Sequence, residues 1–390
     1  LSANTLYDMS VNLINTNDMS NSKIDISGVT RPSDFTVNDV SQNLNSTTST
    51  SLILNINNSQ VEGTLNIKSY IIDYSGNNGT NSTLGEKIIT PTIATAHSTN
   101  NDVTLSDLSS NTMYDLSAHL INIYDMSNSK LDLSGTTRPS DFESGDVLQL
   151  TDYSTNKIII RIDNSQVADT LDISGYNYSY NVGGSNDSTG SGIFTTVNKK
   201  ADDTNDISFV NLLSNSIYDI SVSLFNVVND LSNSYMGIKG YTNLKDFETN
   251  DVSQNITTTT TTTLALNINN SQIENSVDIS GYDIDISSGN GWVTNRDLDE
   301  ATNSGPTDSN TILIGNLSAN SLYDLSINMI NIYDLSNSKI NRKLHTKPAN
   351  FGVNDISQVD YPFGYTDKIK VTITNPNVGS TIYDLSGYEY

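Results

Sequence analysis

Cysteine is absent from the 390 residues, so neither a disulfide nor a thiolate metal site can form. That absence is compatible with an oxidising exterior and does not require one. Basic residues are scarce: 19 Lys and Arg stand against 44 Asp and Glu, a formal net charge of −25. Phosphate recognition needs a basic surface, so no nucleic acid is expected as a partner. An anionic membrane surface repels such a chain. No apolar run reaches 18 residues, so no transmembrane helix and no membrane insertion in this segment are expected. No basic stretch followed by an apolar one, the mark of a secretory leader, opens the sequence. Strong helix formers never accumulate over a helix-length window. Asn, Ser, Thr and Asp dominate instead, and they favour turns and strand edges. Hydrophobic residues make up 35%, thin for one large core and natural for several small all-β domains.

What is present is repetition. The segment from Leu108 to Ser117 recurs at Leu1 to Ser10, Leu212 to Ser221 and Leu317 to Ser326. Its tyrosines Tyr7, Tyr114, Tyr218 and Tyr323 are 107, 104 and 105 residues apart. The phenylalanines Phe35, Phe142, Phe247 and Phe351 keep the same phase, at 107, 105 and 104. Asn57 to Val61, Asp163 to Val167 and Asn269 to Ile273 supply a third marker. Solenoid repeats run to roughly 20–50 residues. This period is that of a whole domain of about 100 residues, each with its own core.

Within a unit the period is two. Tyr114, Leu116, Ala118 and Leu120 alternate with polar residues, as do Tyr218, Ile220, Val222, Leu224 and Tyr323, Leu325, Ile327, Met329. Such alternation is a strand with one buried face; a helix would send every second residue to its far side. Further strands are predicted at 51–56, 175–180, 263–268 and 281–286, around Val103, Phe209 and Ile312, at 130–134, and as an opening strand at Phe142. About seven strands per unit result. The threonine run Thr257 to Thr263 reads as a β-prone edge leading into a strand.

The run Leu108…Tyr114-x-Leu-x-Ala-x-Leu-x-Asn122, repeated at Leu1…Asn15, Leu212…Asn226 and Leu317…Asn331, resembles the sixth strand of fibronectin type III domains. Units of that family often close on Thr-x-Pro, found here at Thr30 to Pro32, Thr137 to Pro139 and Thr346 to Pro348. Thr242-Asn-Leu244 departs from it, which puts a looser or merely different elbow there. The family's second-strand Trp is replaced by Ile56, Ile162 and Ile268. The resemblance implies tandem seven-stranded antiparallel β-sandwiches, fibronectin type III or immunoglobulin-like, and a tyrosine corner at Tyr7, Tyr114, Tyr218 and Tyr323, each hydroxyl returning to nearby backbone. It also implies units at 33–139, 140–243 and 244–347. Residues 1–32 then match the C-terminal part of a unit and 348–390 the N-terminal part, the pattern of a window from a longer repetitive polypeptide.

Candidate sites are few. Histidines His97, His119 and His345 fall at different repeat positions, and neither a Gly-x-Ser-x-Gly nor a phosphate-loop pattern occurs. No enzyme is expected, no catalytic residue and no cofactor, with calcium the one ion to consider. Asp34, Asp39, Asp141, Asp146, Asp246 and Asp251 gather near the unit boundaries and offer hard oxygen ligands. They are equally ordinary turn residues. Nine glycosylation sequons occur, at Asn45, Asn57, Asn78, Asn81, Asn177, Asn186, Asn255, Asn269 and Asn316. Trp292, in the variable middle of its unit, reads as a staple over the sheet edge, with an exposed contact residue as the alternative. The segments 74–100, 180–205 and 287–310 vary most between units, and recognition is placed there. The function expected is a structural fibre or filament, extracellular, on a cell surface or on a virion surface, with self-association as its partner chemistry. The alternatives are the stalk of an adhesin or receptor-like protein that meets a host or cell-surface ligand, and accessory domains of a secreted enzyme.

Overall fold

The structure is a computed structural model. It describes the chain outside residues 59–64, 78–81, 90–99, 165–170, 184–189, 196–202, 229, 271–276, 289–290, 301–308, 360–368 and 375–390, and describes backbone alone at 77, 82–84, 89, 100, 291–300 and 359. Among the described residues there is no helix.

The second unit shows the plan. Its seven strands are Val147–Gln149, Lys157–Asp163, Ile173–Val182, Gly190–Thr195, Thr204–Val210, Ile217–Asn226 and Met236–Tyr241. The first, second and fifth form one antiparallel sheet; the fourth, third, sixth and seventh form the other, in that order. Val40–Gln42 to Leu131–Thr136 and Val252–Gln254 to Ile340–His345 repeat the same topology. Each unit is thus a fibronectin type III-like sandwich. Residues 1–32 carry one paired hairpin, Leu6–Val11 with Ile24–Val29, and Ile356–Val359 pairs with Lys370–Ile373.

The alternation read in the sequence is what builds each core. Ile158, Ile160 and Ile162 of the second strand face Tyr218, Ile220, Val222 and Leu224 of the sixth across a dry interior, all essentially inaccessible. A buried side chain of this size stabilises by about 1.5–3 kcal/mol. Separate clusters of the same make-up fill the units on either side. The third strand carries a register shift at one repeated position, between Ile67 and Ser69, Ile173 and Gly175, and Ile279 and Gly281.

Two local expectations are corrected. Phe142 does not open a strand. The first strand starts at Val147, because a turn closed by Asp146 intervenes, its carboxylate accepting from the Glu143 N–H at 2.6 Å. Asp39 and Asp251 close the same turn in the neighbouring units. The threonine run is a turn rather than an edge strand. Thr259 is buried with its hydroxyl donating to the Asn255 carbonyl, and the strand begins only at Leu264.

A buried polar tie crosses each sandwich. Tyr176 of the third strand donates to Asn164 Oδ1 at 2.6 Å, just past the second strand, and accepts from Asn205 Nδ2 of the fifth at 3.0 Å. Tyr282 does the same with Asn270 and Asn310, and Tyr70 is bonded to Asn58 and Asn101. The tie fastens one sheet to the other two residues beyond the buried Ile56, Ile162 and Ile268. Burial pushes the Tyr176 hydroxyl up to about 12, and raises Tyr70 and Tyr282 in the same sense.

Candidate functional site at the domain joints

Side chains from successive units meet where one sandwich follows another. The corner before each sixth strand begins the joint. Tyr114 Oη accepts the Ser109 N–H at 2.8 Å; Tyr7, Tyr218 and Tyr323 accept from Ser2, Leu213 and Ser318. The linker threonine braces the corner from outside. Thr137 Oγ1 accepts from the Thr112 N–H and donates to the Ser109 carbonyl. Thr30, Thr242 and Thr346 repeat both bonds.

Between tyrosine and leucine the braced corner carries an asparagine: Asn4, Asn111, Asn215 and Asn320, with φ of 46°, 47°, 48° and 49°. Asparagine is among the few residues that tolerate this left-handed backbone. The conformation aims the amide out of its own unit into the next one. Asn111 Nδ2 donates to the Leu171 carbonyl at 2.7 Å, and its Oδ1 accepts from Asn226 Nδ2 at 3.0 Å. Asn4 makes the same pair with Leu65 and Asn122, and Asn215 with Val277 and Asn331. The receiving asparagine is held in turn. Asn122 Oδ1 accepts from the N–H groups of Tyr124 and Met126, and Asn331 Oδ1 from Tyr333 and Leu335. All six asparagines of these three joints are buried. A buried amide left unmatched is costly, so each joint has one favoured seating.

The linker itself is pinned to the unit it enters. Asn128 Nδ2 donates to the Ser33 carbonyl while its Oδ1 accepts from Leu120. Asn233 with Ser140 and Asn337 with Lys245 repeat this. Beside it, Asp34, Asp141 and Asp246 accept the N–H groups of Ser129, Ser234 and Ser338, each at 2.7 Å. The Ser129 N–H holds the Asp34 carboxyl below the usual range, helped by the Arg31 guanidinium.

The elbow without proline is different, not loose. Leu244 occupies the place of Pro139 and is fully buried in the core of its unit. Tyr241 packs on that same core from the preceding unit and touches Tyr333, with ring centroids 4.9 Å apart.

The other candidate residues are not brought together. The six boundary aspartates are engaged as turn and linker acceptors, and no group of three or more His, Asp or Glu able to hold a metal occurs among the described residues. Asn45, Asn269 and Asn316 are exposed; Asn57, Asn177 and Asn255 are half-buried; Asn78, Asn81 and Asn186 lie outside the described residues. His119 and His345 belong to different units, and His97 lies outside the described residues, as do 78–81 and 90–99 of the segment 74–100, 184–189 and 196–202 of 180–205, and 289–290 and 301–308 of 287–310. The backbone of Trp292 pairs with Ser287 in the strand Gly291–Glu300. Among the described residues no helix is long and apolar enough to cross a membrane.

The joint asparagines were missed in the sequence. The signal is present, because Asn4, Asn111, Asn215 and Asn320 keep the phase of the tyrosines, three residues ahead of each. An asparagine-rich background hides it.

No family model matches the chain, and no curated protein is similar to it in sequence. Solved structures are similar in form. The FN1–FN3 domains of chicken CNTN1, a contactin, align at 13% identity and a TM-score of 0.29, over 81% of this chain and 99% of that one. A two-domain fibronectin type III segment of chicken tenascin aligns at 13% identity and a TM-score of 0.30, over 52% and 96%.

Proposed function

We propose that this chain is a structural repeat array that sets spacing and direction in an extracellular, cell-surface or virion-surface fibre. The observation that carries the reading is the asparagine clasp, made with the same partners and nearly the same distances at three successive joints. A flexible tether needs no buried, fully matched contact between neighbours; inter-domain motion is the default unless the interface restrains it. Here the restraint is repeated unit after unit. A fixed step between units gives a strut of defined length, which is what a fibre or filament requires of its subunits. Self-association of such struts is the partner chemistry that follows.

The cysteine-free chain makes a direct test simple, because spin labels attach only where cysteines are introduced. Thr104→Cys and Ser208→Cys place labels at equivalent exposed positions of the first and second complete units. Electron–electron resonance should return one narrow distance distribution. A broad distribution, as for beads on a string, overturns the reading.

A further inference from the structure

The first and seventh strands of each sandwich belong to different sheets, and no ladder joins them. Tension along the array nevertheless enters each unit at the first strand and leaves it at the seventh. In the second unit these are the segments after Pro139 and before Leu244, with a folded unit on either side. The seam between them is closed by a side chain. Gln149 Nε2 donates to the Tyr241 carbonyl at 2.8 Å while its Oε1 accepts the Tyr241 N–H at 2.8 Å. A side-chain amide here does the work of a missing strand neighbour. Gln42 makes the same two-way bond with Thr136, at 2.7 and 2.9 Å, and Gln254 with His345, at 2.7 and 3.4 Å. One linker bond follows each clamp: Arg138 N–H to the Thr48 carbonyl, Asn243 to Ser154, Lys347 to Thr260.

The order of these contacts gives the direction of loading. Partners advance together, 42 with 136 and then 48 with 138, 149 with 241 and then 154 with 243, 254 with 345 and then 260 with 347. The two segments therefore run parallel. Pulling the leading end of one against the trailing end of the other loads the seam in shear. Its bonds then bear the load together rather than opening one at a time.

We infer that each unit is a tension-bearing element and that Gln42, Gln149 and Gln254 are its mechanical locks. This goes beyond fixed spacing, since a strut can be stiff and still yield when pulled. The glutamines touch no joint asparagine in the bonds described, so the two ideas fail separately.

Constant-force tweezers on the full chain test it, comparing wild type with the Gln42→Leu, Gln149→Leu, Gln254→Leu variant. Forced unfolding reports the unfolding rate rather than the equilibrium. At fixed force that rate should rise about tenfold or more, the factor for two lost hydrogen bonds per unit. The comparison variant Tyr70→Phe, Tyr176→Phe, Tyr282→Phe removes bonds away from the load path, and its forced rate should rise less for an equal loss of equilibrium stability. Wild-type rates in the glutamine variant, or equal acceleration in the tyrosine variant, overturn the inference. If circular dichroism shows the triple glutamine variant unfolded, Gln149→Leu alone should speed one of the three unit-unfolding steps and leave the others unchanged; no fast step refutes it.

Discussion

Replacing Asn111 by alanine removes the first complete unit's whole contribution to the clasp with the second. The Leu171 carbonyl loses its donor and Asn226 Nδ2 loses its acceptor. Each buried group left unmatched costs about 1–3 kcal/mol. A φ of 47° adds a further cost of roughly 1–2 kcal/mol for a residue with a Cβ and no side-chain amide. The sum is about 3–8 kcal/mol, enough to release the joint on the scale of a domain's whole stability. Two further variants divide that sum. Asn111→Gly relieves the backbone and keeps the lost bonds, so it should recover roughly 1 kcal/mol. Asn111→Asp keeps an oxygen for Asn226 but turns a second oxygen on the Leu171 carbonyl, so it should stay near alanine at neutral pH. Urea unfolding gives the energies, and the distance distribution between labels at 104 and 208 gives the freedom of the joint. An alanine variant with wild-type unfolding and an equally narrow distribution would refute the argument, because a buried, bidentate contact cannot be removed without effect.

Other outcomes follow from the same geometry. Tyr114→Phe deletes the acceptor of the Ser109 N–H and should destabilise its unit by about 1 kcal/mol or more, seen as a lower melting midpoint. Tyr176 is neutral and bonded when folded, and its folded value of about 12 lies above the unfolded value near 10. Its contribution is therefore complete below pH 10 and is lost as pH rises from about 10 to 12. The second unit should weaken by roughly 2–3 kcal/mol over that window, and tyrosinate absorbance should show a late-titrating class. Leu244→Ala opens a void in the third unit's core and should cost about 2–5 kcal/mol by denaturant unfolding of that unit.

The sandwich was legible because its information is local. Tyr218, Ile220, Val222 and Leu224 declare a half-buried strand within seven residues, and the fixed offset from Leu212 to Tyr218 declares the corner. The strand start near Phe142 was not legible, since a carboxylate capping a turn looks the same as any surface aspartate. The joint was hidden for a different reason. Asn111 and Asn226 lie 115 residues apart, and the bond between them depends on a left-handed φ that no residue type encodes uniquely. The glutamine lock was equally silent, because Gln149 meets Tyr241 only after both sheets have closed. The signals that reveal the strands are local in sequence, whereas the clasp and the glutamine lock join residues 115 and 92 positions apart.

The amide clasp also frees the array from its surroundings. Neither member of an asparagine pair gains or loses a proton between stomach acid and alkaline lake water, and neither carries a charge for dissolved ions to shield. A chain with 25 excess negative charges would change its preferred angles from fresh water to brine if ion pairs set them. With uncharged partners in the clasp, the effect of salt within a joint falls on the charged contacts beside it, such as Arg31 with Asp34.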